Sequence, residues 1–187
     1  MVNNINTTNN ISDFITKFGG GTRQNRFVVD GSLGGAKTNF GKLSDNKIYI
    51  RSTTIPSSNV AQIPINWRGR TVNYPGDRAY TPWQITVLDD KPSGKARLFE
   101  AFHAWSNNIN DHGTNVSKQV DPKDHFATDW CISHLDTNGN TIGRKFLLKN
   151  CWPVTIGEIA LDMAVDNTLV SFGVAIAFSH FEYENIT

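Results

Sequence analysis

From Val170 to Ser179 large and small side chains alternate without a break. Val170, Phe172, Val174, Ile176 and Phe178 share one face of an extended chain, and Ser171, Gly173, Ala175, Ala177 and Ser179 share the other. The large face predicts core; the small face predicts water or a closely approaching surface. Shorter runs, NRFVVD (Asn25 to Asp30), KIYIRS (Lys47 to Ser52) and ITVLDD (Ile85 to Asp90), also read as strands. Two hairpin patterns occupy the last third. One covers residues 124–152 and turns at Asn138-Gly139, the strongest local hairpin signal. The other covers 158–184 and turns at Asp166-Asn167. A single helix is predicted over about 93–108, with Ser93 as its cap and Asn107-Asn108 as its end. Leu98, Phe99, Phe102 and Trp105 recur there at helical spacing, and Leu98, Phe102 and Trp105 form the stripe expected to pack on a sheet.

Between these elements the pattern breaks down. Residues 1–22 form a polar, Asn-rich arm with one amphipathic patch (Ile11, Phe14, Ile15, Phe18), capped by Ser12 or Asp13 and closed by Gly19-Gly20-Gly21. Residues 31–46 read as a loop between strands. Residues 56–82, punctuated by proline and glycine, predict an extended loop or a long hairpin, and a loop of that length in a compact domain is usually functional. The organisation expected is therefore an arm, 1–22, and one domain, 23–187.

Composition sharpens the fold class. Aromatic residues make up 11% of the chain, with five Trp and eleven Phe, and the polar remainder leans on Asn, Thr, Ser and Gly. That mixture predicts a mainly β, turn-rich protein. The formal net charge is +1 with the basic residues scattered, so no electrostatic footprint for gripping a phosphate backbone is present. Cys131 and Cys151 are too few for a disulfide scaffold and are expected as free, reduced thiols. The first residues lack a basic n-region and an apolar h-region, and nothing approaches the ~20 apolar residues of a membrane span, so a soluble, unexported protein is expected.

Candidate chemistry is sparse. GSLGGAKT (residues 31–38) differs by Ala36 from a phosphate-binding loop, and ITVLDD ends like the magnesium-holding strand of such a site. Helix-breaking residues follow Thr38, and no succession of βαβ units is present, so a nucleotide-binding enzyme resting on Lys37 stays a remote alternative. Cys131 and His134 lie three apart on a strand and point to opposite faces, which opposes a shared metal. DTNGN (residues 136–140) opens like a calcium loop but lacks the closing glutamate. No catalytic, metal or cofactor residue is assigned.

The order of landmarks resembles the tail tube proteins of contractile-tailed phages. The resemblance rests on RQNRFVV (Arg23 to Val29), the stretch Thr53 to Asp90 with its P-G-D-R turn before W-x-x-T-V, the helix KARLFEAFHAW, and LLKNCWPVTIGEIALD (Leu147 to Asp162). It implies two packed antiparallel sheets making a small barrel with one flanking helix, an architecture shared with the type VI secretion tube. It also implies a structural virion protein whose hexameric rings stack helically inside a contractile sheath. The implied partners are further copies of the chain, the sheath, the baseplate and tube-terminator proteins, and a tape measure protein and genomic DNA that pass the bore without specific binding. By the same resemblance Arg68, Gly69, Arg70, Pro75, Gly76, Asp77 and Arg78 reach the neighbouring ring, and Arg23, Asn25, Arg26 and Phe27 lie near the ring interface. Ser171, Gly173, Ala175, Ala177 and Ser179, with Asp162, are candidates for the lumen. A baseplate initiator or tube-terminating ring of the same fold is the alternative.

Overall fold

The computed structural model describes residues 11–18, 21–34, 49–90, 97–117, 127–136 and 142–184. Its strands are β1 (Phe27–Asp30), β2 (Ile50–Thr53), β3 (Ser58–Trp67), β4 (Arg70–Tyr80), β5 (Trp83–Leu88), β6 (Thr128–Leu135), β7 (Ile142–Ile156), β8 (Ser171–Ala177) and β9 (His180–Glu184), and its helices are α1 (Ile11–Lys17) and α2 (Leu98–Ile109). Every strand pairing is antiparallel. The main sheet runs β1-β6-β7-β8-β5-β2, with β9 added beside β7, and β3-β4 form a separate ribbon.

The long β7 belongs to two halves. Its first part pairs with β6 and β9 and its last part with β8, so β1-β6-β7-β9 and β7-β8-β5-β2 share one strand. The corner falls at Asn150, whose φ of 56 is left-handed, a conformation that asparagine tolerates better than most residues. The Asn150 N–H donates to Asp129 Oδ1 at 3.1 Å. On the facing edge β8 and β9 follow one another along β7 and turn the same corner between them, where the Ser179 N–H donates to the Lys149 carbonyl at 2.9 Å. The two packed antiparallel sheets with a flanking helix expected from the sequence are present.

The halves meet on aromatic rings. Trp130 of β6 lies edge-on to Trp83 of β5 at 5.7 Å and stacks parallel to Trp105 of α2 at 6.2 Å. Both sheet indoles satisfy their N–H groups, as buried polar groups must. Trp83 donates to the Thr54 carbonyl at 2.7 Å. Trp130 donates to the Thr128 hydroxyl, which donates in turn to the Ser32 carbonyl at 2.9 Å. Gly31 is part of this packing: a Cβ there would sit 2.4 Å from the Trp130 ring. That glycine of GSLGGAKT makes room for an indole. Lys37 and most of the 31–46 loop lie outside the described residues.

Helix α2 buries Leu98, Ala101, Phe102 and Trp105, the predicted stripe with one alanine added. Its predicted beginning at Ser93 lies outside the described residues. The helix amides are met instead from the end of β5: Asp89 Oδ1 accepts the Phe99 N–H at 3.3 Å, and the Asp90 carbonyl accepts the Leu98 N–H at 3.3 Å. An aspartate is favourable there because unpaired amides make a helix N-terminus positive. At the other end the helix continues to Ile109, past the predicted stop, and Asn107 accepts the His112 N–H at 2.9 Å.

One predicted pairing is corrected. Residues 158–165 do not form a hairpin with the final strands through Asp166-Asn167, because both edges of β8 are occupied, by β5 and by β7. Residues 157–170 form an irregular excursion, tied down where the Gly157 N–H meets the Gly173 carbonyl and the Asp89 N–H meets the Val170 carbonyl. The Asn138-Gly139 turn lies outside the described residues, while β6 and β7 on either side of it pair as predicted.

Candidate assembly surfaces

The β3-β4 ribbon is the first surface. Its turn is Arg68-Gly69, with φ of 47 and 80, the two positive values that match a tight turn to the twist of its strands. Glycine adopts this backbone freely; Arg68 accepts it and lays its guanidinium 5.6 Å from the Trp67 ring. The register places Ile63 opposite Tyr74, Ile65 opposite Val72 and Trp67 opposite Arg70, so these six share one face. Gln62, Pro64, Asn66, Thr71, Asn73 and Pro75 share the other. Every residue of the two strands is exposed except Gly76 and Tyr80, which are half-buried. Tyr80 roots the ribbon on the Phe178 and Phe181 rings, at 5.2 and 5.6 Å.

The P-G-D-R segment is not a turn. Pro75, Gly76, Asp77 and Arg78 run within β4, where the register shift between Val60 and Gln62 marks a bulge, and the Arg78 guanidinium donates to the Ser58 hydroxyl at 2.8 Å. Arg68, Gly69 and Arg70 therefore form the tip of the ribbon, and the other four predicted residues form its kink.

The second surface is the small-residue face. Phe172, Val174, Ile176 and Phe178 are buried, and Ser171, Gly173, Ala175 and Ala177 point the other way. The register extends this face across neighbouring strands: Gly173 lies beside Thr86, Ala175 beside Gln84 and Thr155, and Thr86 beside Ser52. None of these residues is charged. Sequence reasoning missed the four polar ones, although the strict alternation of β5 (Trp83, Ile85 and Val87 buried) pointed to Gln84 and Thr86. Ser179 sits at the corner after β8, and Asp162 lies on the 157–170 excursion, off this face.

A third feature lies where β1 and β2, the two ends of the curled main sheet, approach without pairing. A cleft of about 660 Å³ opens between them, lined among others by Asn25, Phe27, Arg51, Ile55, Ile132 and His134. The Arg23 to Phe27 segment is fixed here. His134 Nε2 hydrogen-bonds the Arg23 carbonyl at 3.1 Å, Arg26 Nη1 donates to the Asp136 carbonyl at 3.3 Å, and the Leu135 N–H donates to the Arg26 carbonyl at 2.9 Å. The four predicted residues thus lie together at this seam, apart from the ribbon tip.

The ionisable groups are structural. Burial works against the charge of Asp129, yet hydrogen bonds from Lys149 and the Asn150 N–H hold its carboxyl below the usual carboxylate range. Burial pushes the Cys151 thiol up to about 12, and both cysteines are free. Among the described residues no cluster of three metal-ligating side chains occurs. The Asp89 carboxylate that resembled a magnesium ligand is the cap of α2.

Comparison with known proteins agrees with this inventory. The family model for phage tail tube protein matches residues 22–184. A tail tube protein of Serratia phage KSP90 is 25% identical over 166 residues, covering 89% of this chain and 90% of the relative. Tail tube protein gp19 of Enterobacteria phage T4 is 24% identical over 160 residues, covering 86% and 90%. The fold is shared with chains from the anti-feeding prophage baseplate (TM-score 0.65, 11% identity, covering 89% of this chain and 97% of that one) and the PVC sheath-tube complex of an extracellular contractile injection system (0.57, 17%, covering 95% and 99%). The chain belongs to the phage tail tube protein family, and it is a structural component of the virion, not an enzyme.

Proposed function

We propose that the chain is the repeating subunit of the inner tube of a contractile tail: six copies close a ring, rings stack helically, and the genome passes through the bore into the host. The β3-β4 ribbon carries this reading. A lone two-stranded ribbon is marginal in water, and this one leaves Ile63, Ile65, Trp67, Val72 and Tyr74 about half exposed or more. It is built to lie on another copy. Arg68, Gly69 and Arg70 at its tip, with Pro75 to Arg78 at its kink, reach the adjacent ring, and Arg23, Asn25, Arg26 and Phe27 lie at the contact between subunits.

Within a ring the four-stranded halves continue one another into a larger barrel, whose diameter grows with strand number. The small uncharged face, Ser171, Gly173, Ala175, Ala177 and Ser179 with Ser52, Gln84, Thr86 and Thr155, forms the wall of the bore. A wall without cations does not hold phosphates, so DNA and a tape measure protein pass without specific binding. The outer surface meets the sheath, and the tube ends meet baseplate and terminator proteins.

Electron microscopy of the purified chain tests this directly. Wild-type protein is expected to form long hollow tubes, and the Ile65→Asp, Trp67→Asp variant only separate rings, with an unchanged melting temperature because neither side chain is in the core. Compact wild-type monomers at tube-forming concentration would sink the proposal. Wild-type rings that never stack would assign the chain to an initiating or terminating ring instead.

A further inference from the structure

Apart from Ile159, which is half-buried against the core, the large apolar side chains of the 157–170 excursion are not covered by the described residues. Leu161, Met163, Val165 and Leu169 are all more than half exposed, Met163 completely. Loops longer than about 12 residues without regular structure are uncommon in compact domains and are usually functional. Its sequence alternates large apolar residues (Ile159, Leu161, Met163, Val165) with small or acidic ones. In the structure the chain turns at Asp162, whose carboxylate accepts the Ala164 N–H at 2.9 Å and whose carbonyl accepts the Val165 N–H at 3.5 Å, leaving Leu161 and Met163 exposed at the turn. The segment carries Glu158, Asp162 and Asp166 and no basic residue.

The seam cleft has the opposite character. Its apolar floor is Phe27, Ile55 and Ile132, its charged or titratable side chains are Arg51 and His134, and it contains no carboxylate. Arg23 and Arg26 flank two of its lining residues in sequence. Arg51 is exposed and has no ion-pair partner among the described residues. The excursion joins the end of β7 to the start of β8 and is tied to the end of β5 through the Asp89 N–H and the Val170 carbonyl, whereas the cleft adjoins β2 at the outer edge of the same half. One copy therefore presents an acidic apolar segment and, at a different place, a basic apolar cleft.

We propose that residues 157–170 of one copy seat in the β1/β2 seam cleft of the next copy, with Leu161 and Met163 on the apolar floor and the aspartates beside Arg51. Such a contact joins two different patches, so it is head-to-tail and generates a ring when the rotation closes. It rests on the ring reading above and specifies which surfaces make the ring.

The test is a disulfide trap in a Cys131→Ser background, pairing Met163→Cys with Ser52→Cys, with each single substitution as control. Particle mass is read in parallel by native mass spectrometry. The expected result is a non-reducing ladder from dimer to hexamer that needs both cysteines. Rings of normal mass without a ladder would overturn this docking and leave the ring reading standing. Monomer mass without a ladder would overturn both. A crosslink confined to one chain would show that the segment covers its own cleft, which also overturns the proposal. A charge exchange supplies a second reading: Arg51→Glu is expected to weaken ring formation about tenfold or more, and adding Asp162→Lys to restore it, as close complementary charges do at interfaces. Equal weakening in the single and the double variant would count against the contact.

Discussion

Single residues in this chain have local structural jobs that the sequence hid behind motif-like surroundings. Asp89 follows an apolar strand that resembled half of a magnesium site, yet its carboxylate accepts the Phe99 N–H in the first turn of α2 and approaches Arg97 at 3.8 Å. Asp89→Ala is expected to lower stability by about 1 kcal/mol, with Asp89→Asn recovering most of the loss, since asparagine caps comparably; denaturant unfolding measures both. The fold partner of Asp89 lies about ten residues downstream, and local pattern contains no such information. Cysteine chemistry follows burial. Cys151, with its thiol raised to about 12 by desolvation, is expected to resist maleimide until the protein unfolds, whereas the half-buried Cys131 reacts in the native state. Mass spectrometry after timed labelling separates the two.

At the scale of elements, legibility depended on whether both faces of the pattern were resolved within one chain. The final strand was readable because large and small residues alternate: Phe172, Val174, Ile176 and Phe178 are buried as predicted, while Val170, which precedes the strand at the end of the excursion, is exposed. The β3-β4 ribbon was half readable. Pro64 and Pro75 argue against a strand, but each strand of a two-stranded ribbon has an open edge where a missing N–H costs nothing. Its turn is Arg-Gly instead of the stronger Asn-Gly signal. Residues 158–165 misled for the converse reason: the alternation is there in the sequence, but both edges of β8 are taken by β5 and β7 and the segment forms no strand. Helix α2 carries a titratable consequence. Burial, and then the neighbouring His112, hold His103 below the usual imidazole range. The folded state therefore prefers the neutral ring, and this contribution is complete above the unfolded pKa of about 6.5 and lost as pH falls through the lower folded value. Melting temperature is expected to fall between pH 7 and pH 5, and His103→Gln to flatten that slope.

For the molecule as a whole, composition and strand pattern were enough for a mainly β fold with one helix, whereas the route of β7 through both halves was not legible, because a strand that turns a corner looks like any long strand in sequence. The core that joins the halves centres on Trp130, which touches Trp83, Phe102 and Trp105. Trp130→Ala is expected to cost about 3–5 kcal/mol, and to do so in one transition, with tryptophan fluorescence and far-UV circular dichroism melting together. Two separated transitions would mean that the halves are independent.

The shared strand also has a mechanical meaning. Because β7 and the consecutive strands β8 and β9 that run antiparallel along it all pass the corner at Asn150, the halves cannot swing apart without tearing strand pairings on each side of it. The subunit contains no hinge at that junction, so it bears load as a single stiff bead. In a tube made of such beads, curvature has to be taken up at the seams between copies, and flexural rigidity is set by interface residues, leaving the interior of each subunit undeformed.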